Sequence, residues 1–137
     1  LLISWFFFTV LLFSSCKKEE NNNIPLTQVE FTININDPAY LELQTIGGSV
    51  EVSGGSRGII LYRESNENIN AFDRHCTFQP SDACAIISAD PNRSTATDQC
   101  CGSSFLLSSG DVSIPPASTP LKAYNTVFDG TRLRVFN

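Results

Sequence analysis

The chain has 137 residues, 42% of them hydrophobic, and a formal net charge of -5. That length suits one domain and is too short for two comfortable ones. Lys17-Lys18 is the sole basic cluster, which argues against a nucleic-acid partner, because phosphate recognition needs a concentrated positive face.

Leu1 to Phe13 reads LLISWFFFTVLLF, an almost wholly apolar run without charge. About a dozen such residues suit the core of a signal peptide, whereas spanning a bilayer takes roughly 20. Met is absent even at position 1, so the basic start of such a signal is expected ahead of Leu1. Ser14-Ser15-Cys16 then resembles a lipobox, although Phe13 is bulkier than usual there. The resemblance implies that residues 1–15 are removed as a lipoprotein signal peptide. Cys16 then becomes the lipid-attachment site, carrying palmitate-type chains. Lys17 to Asn23 (KKEENNN) has no hydrophobic period, so residues 16–26 are expected to be a flexible tether. A Lys-Glu-Glu run after the lipidated cysteine also resembles the export signal of surface lipoproteins. The expected location is therefore a Gram-negative bacterial envelope, at the outer-membrane surface, with the membrane as partner through the N-terminal lipid.

Residues 27–137 read as one β domain. Val29, Phe31, Ile33 and Ile35 alternate with polar residues, the period of a half-buried strand. Asp37-Pro38 breaks the strand, and Leu41 and Leu43 alternate again. Gly47-Gly48 and Gly54-Gly55 are turns on either side of Val50 and Val52. Gly58 to Tyr62 (GIILY) fits a strand covered on both faces, and Ile69 to Phe72 is a further candidate. Val112 and Ile114 precede a Pro115-Pro116 break. Leu121 to Tyr124 and Leu133 to Val135 are strand-like, with Asp129-Gly130 turning between them. No window of a dozen residues holds a helical period. The pattern predicts an all-β antiparallel sandwich or small barrel.

The middle differs. Between Arg74 and Ser104 lie the single histidine, His75, and Cys76, Cys84, Cys100 and Cys101, among small and polar residues. These read as two long loops on a β scaffold, where function usually sits. Four cysteines in an exported domain first raise a disulfide question, with three possible pairings. Bonding the neighbours Cys100 and Cys101 is strained; the other two pairings stitch loop to loop. Each such bond contributes roughly 3 kcal/mol when it closes a couple of dozen residues.

Gly102-Ser103-Ser104-Phe105, then Gly110, Pro116-Ala117 and Pro120-Leu121, resemble the second half of a Rieske iron-sulfur domain. That family reads C-P-C-H-G-S-x-F in its second loop and C-T-H in its first; here these are Asp98-Gln99-Cys100-Cys101 and Cys76-Thr77-Phe78. The resemblance runs from about Gly47 to Val135. It implies a Rieske-like fold with a subdomain of two disulfide-linked loops. A Rieske cluster takes two cysteines and two histidines. Cys76 matches a cysteine ligand, but Phe78 replaces a histidine, Asp98 a cysteine and Cys101 a histidine. Cys84 and Cys100 match the family's disulfide. The resemblance thus implies disulfides Cys84–Cys100 and Cys76–Cys101, the second standing in for a lost cluster.

The expectation is a non-enzymatic, lipid-anchored protein with a structural or binding role, no catalytic residues, no metal and no cofactor. The alternative is a [2Fe-2S] electron carrier using Cys76 and Cys101 with Cys84 and Cys100. The same four thiols match the count for a zinc site, although neighbours such as Cys100 and Cys101 cannot easily face one tetrahedral centre. His75 is adjacent to Cys76, and a neighbouring imidazolium lowers a thiol pKa; strand neighbours point to opposite faces, however, which favours a packing histidine. Asp73 and Asp98 are two carboxylates whose separation the sequence leaves open.

Overall fold

The structure is a computed structural model and describes residues 24–137. The expected signal peptide, the Cys16 lipid site and the charged start of the tether lie outside the described residues. Ile24, inside the expected tether, is buried. Among the described residues, no helix is long and apolar enough to cross a membrane.

The fold is all-β, built from curled antiparallel sheets that form a half-barrel. Among the described residues, ten strands run in order: β1 (Glu30–Asn34), β2 (Ser49–Val52), β3 (Ile59–Arg63), β4 (Ile69–Asp73), β5 (Ile87–Ala89), β6 (Thr95–Asp98), β7 (Ser104–Leu106), β8 (Val112–Ile114), β9 (Ala123–Phe128) and β10 (Arg132–Phe136). The larger sheet has the order β1-β10-β9-β4-β3-β2, and the smaller one β5-β6-β7-β8.

β3 explains the double burial expected from GIILY. Ile60 and Tyr62 enter one apolar cluster, with Phe72, Ile87, Phe105 and Cys76. Ile59 and Leu61 enter another, with Leu43, Ile69, Leu133 and Val135. Alternate side chains of a strand face opposite sides, so β3 is covered on both. The first cluster joins the small sheet to the large one and contains the first cysteine of the loops.

Two expectations change. The strand around Leu41 and Leu43 is a 3-10 helix over Pro38–Gln44, with Pro at its start. Proline's fixed φ suits a first helical turn, and the period of two fails there because Leu43 is buried while Leu41 is exposed. The two long loops are also shorter than expected. β5 and β6 pair as a hairpin between them, with Ile87 opposite Asp98 and Ala89 opposite Ala96. What remains is loop 1, residues 74–86, and loop 2, residues 99–103.

A buried carboxylate sets where loop 1 begins. Asp73 closes β4 and is fully buried. Its Oδ2 accepts hydrogen bonds from Tyr124 Oη at 2.6 Å and the Ser56 amide at 2.6 Å. Its Oδ1 accepts from the His75 amide at 2.8 Å and the Arg57 amide at 3.3 Å. Four donors satisfy a charge that would otherwise be costly to bury. Gly55 makes the arrangement possible: its φ is +60°, and a Cβ there would strike Asp73 Oδ2 and Tyr124 Oη. Burial first, and then the Asp73 carboxylate, push the Tyr124 phenol above its ordinary range.

Replacing Tyr124 by Phe removes one of these donors and leaves the buried carboxylate short of a partner. The expected loss is about 1–3 kcal/mol of unfolding free energy, read from urea denaturation. A Tyr124→Phe protein as stable as the wild type would contradict the role given to Asp73.

Candidate functional site

Loop 1 is closed by backbone and side-chain bonds. The Cys76 amide donates to Ala85 O at 3.0 Å, and His75 bridges to Ile86. Arg57 Nη1 donates to Asp82 O at 2.6 Å and Ala85 O at 3.0 Å, while Nη2 reaches Pro80 O at 3.3 Å. One planar cation thus gathers several carbonyls of the loop, a task suited to a guanidinium. His75 is buried, with Nε2 2.6 Å from Pro80 O and Nδ1 2.8 Å from Ser56 Oγ. A carbonyl only accepts, so Nε2 carries a proton, and in the neutral ring Nδ1 accepts from the Ser56 hydroxyl. His75 packs the loop, and its partners are not the cysteines.

Loop 2 is a tight turn organised by Asp98. Its Oδ1 accepts from the Cys100 amide at 2.7 Å and the Cys101 amide at 3.4 Å. The Gly102 amide donates to Asp98 O at 2.8 Å, and Gly102 closes the turn with φ +80°. An aspartate side chain that bonds amides two residues on is a common turn-former, and glycine supplies the positive φ. That signal was present in the sequence as Asp98-Gln99-Cys100-Cys101-Gly102. A third segment covers both loops. Thr77 Oγ1 donates to Thr119 O at 2.6 Å, and the Ala117 amide donates to Ser103 Oγ at 2.8 Å.

The loops are joined covalently by the expected disulfide, Cys84–Cys100. The second expected bond, Cys76–Cys101, is not formed; among the described residues both are free thiols. Each sulfur has other company. Cys101 Sγ donates to Ser103 Oγ at 3.1 Å and accepts from the Ser103 amide at 3.4 Å. Cys76 is fully buried beside Asp98, and its Sγ, Cys101 Sγ and a carboxylate oxygen of Asp98 lie within 4.8 Å of one another. Phe78 packs against the apolar cluster that contains Cys76.

The electrostatics at Cys76 and Asp98 are those of buried groups. Burial first, and then the Asp98 carboxylate, push the Cys76 thiol far above the ordinary cysteine range, with the Phe78 amide acting the other way. Asp98 is 1% exposed, and its Oδ2 is buried with no hydrogen-bond partner among the described residues. The two carboxylates left open by the sequence serve different places: Asp73 anchors loop 1, and Asp98 shapes loop 2 and faces the thiols. An open groove of about 850 Å³ between the 3-10 helix and residues 89–93 is lined by none of the cysteines.

A thiol whose pKa is raised by folding favours the native state only while the unfolded chain keeps its own thiol protonated. That contribution is complete below the unfolded value, about 8.5, and declines as pH rises beyond it. The urea midpoint should therefore fall between about pH 8.5 and 10, and less steeply in Cys76→Ala. Equal slopes in the two proteins would show that the Cys76 thiol titrates normally.

Compared with known families and curated proteins, the chain finds no counterpart: no family model matches it, and no curated protein matches it.

Proposed function

We propose that the chain is an exported, lipid-anchored envelope protein whose β domain resembles a Rieske domain that no longer carries its [2Fe-2S] cluster. Its disulfide-linked loop tip serves a structural or binding role and not an enzymatic one. The observation that carries this reading is the donor count at the loop tip. Three side chains offering ligand atoms converge there among the described residues: Cys76, Asp98 and Cys101. On the sequence resemblance, they correspond to three of the four positions at which the Rieske family binds its cluster. The fourth is Phe78, which has no donor and packs into the apolar cluster.

A [2Fe-2S] cluster held by protein takes four donors, two for each iron. Cys84 and Cys100 are consumed by their own disulfide. The residues present therefore do not fit the cluster. A thiol-disulfide enzyme is also disfavoured, because a buried thiol held protonated is a poor nucleophile and the loops lack a C-x-x-C pair. The lipid anchor rests on Ser14-Ser15-Cys16 and on the cysteine arithmetic, since Cys16 is the odd one of five.

Protein produced in cells that assemble clusters should be colourless, without stoichiometric iron or acid-labile sulfide. A stable red-brown band with iron and sulfide would overturn the reading in favour of the electron carrier.

A further inference from the structure

We infer that Cys76, Asp98 and Cys101 form a site for a single thiophilic divalent cation, with Zn²⁺ as its natural occupant. The inference rests on the cluster-free reading above, because a cluster would use the same atoms.

The first argument is geometric. The three donor atoms lie within 4.8 Å of one another on two loops locked together by Cys84–Cys100. Tetrahedral zinc with Zn–S near 2.3 Å places two sulfurs roughly 3.8 Å apart. Side-chain adjustment of about an ångström or less closes the set around one ion. The second argument is the orphaned oxygen. Asp98 Oδ1 is occupied by two amides, whereas Oδ2 is buried without a hydrogen-bond partner among the described residues. A buried carboxylate oxygen left unpaired is costly, and a cation between it and the sulfurs removes that cost.

The surroundings fit the same occupant. Amides from Cys100 and Cys101 orient the carboxylate, and the Ser103 amide points at Cys101 Sγ. Such outer contacts hold ligands in place and favour the thiolate form. Two sulfurs and one oxygen suit zinc and are wrong for calcium or magnesium, which take oxygen ligands. His75 is not a competing ligand, since both ring nitrogens are engaged by Ser56 and Pro80. Cys76 is buried and Cys101 partly exposed, so the ion would enter past Cys101 and keep a water in the fourth position. Binding displaces the two thiol protons to solvent and leaves a site of formal charge -1.

The full chain purified without oxygen is titrated with Co²⁺ and then Zn²⁺. One Co²⁺ per chain is expected, with a thiolate-to-cobalt charge-transfer band and tetrahedral visible bands that Zn²⁺ abolishes. Cys101→Ser should lose the band or weaken binding at least about tenfold, and Asp98→Asn should weaken it by about 10-fold or more. Asn keeps an oxygen for the Cys100 amide, so the loop 2 turn survives that change. Absence of binding, a second disulfide between Cys76 and Cys101 in the anaerobic protein, or equal binding by wild type and both variants would overturn the inference. Those results leave the cluster-free reading intact. Two irons with two sulfides would overturn both.

Discussion

The covalent link between Cys84 and Cys100 is the constraint on which the loop tip depends. Cys84 lies on loop 1 and Cys100 on loop 2, which both leave the open end of the β5–β6 hairpin, where Ile87 pairs with Asp98. The β5–β6 pairing brings the two loops to one end, and the bond, the Asp98 turn and the segment around Ala117 hold their tips together. The bond closes a span of 16 residues, which removes unfolded-state freedom worth about 3 kcal/mol. Under the proposed export that contribution would persist, because an oxidising compartment keeps such a bond formed.

Around this clamp the polar interior is arranged with few loose ends. Asp73 gathers four donors at the end of β4, and Arg57 gathers the carbonyls of loop 1. Both are anchored in the turn after β2, so the same short segment fixes the strand end and the loop it feeds. Against that background Asp98 Oδ2 and Lys122 Nζ stand out as buried side-chain atoms without hydrogen-bond partners among the described residues. Lys122 lies over the Tyr124 ring at 5.1 Å, which gives its charge a partial counterpart. Asp98 Oδ2 has the thiols of Cys76 and Cys101 beside it. The one unanswered carboxylate oxygen thus lies where ligand chemistry is concentrated, and that coincidence ties the proposed function to the inferred cation.

The scaffold was largely legible in the sequence. Val29 to Ile35, Ile59 to Tyr62 and the Asp129-Gly130 hairpin carry patterns that only strands satisfy economically. The region around Leu41 was not, because two leucines two apart fit a strand and a short 3-10 turn equally well. Proline at position 38 was the better guide. β5, β6 and β7 escaped notice because Ser88, Thr95, Thr97 and Ser104 are small and polar, and three or four residues are too few to show a period. Their strand character comes from pairing and not from composition. At the loop tip the disulfide was legible through the family resemblance. The second bond is not formed: among the described residues Cys76 and Cys101 are free thiols, and Cys101 Sγ is hydrogen-bonded to Ser103. Asp98 stands where the resembling family has a ligand cysteine, and Asp-x-Cys followed by Gly102 also describes the turn it builds.

The central claim is that one disulfide clamps the loops and leaves two thiols facing Asp98. Alkylating the protein without reduction and mapping its peptides tests this directly. The account predicts a Cys84–Cys100 cross-linked peptide pair, with Cys76 and Cys101 recovered as alkylated thiols once the chain is unfolded. Any other partner for Cys84 or Cys100, or four alkylated cysteines in the two loops, would contradict it.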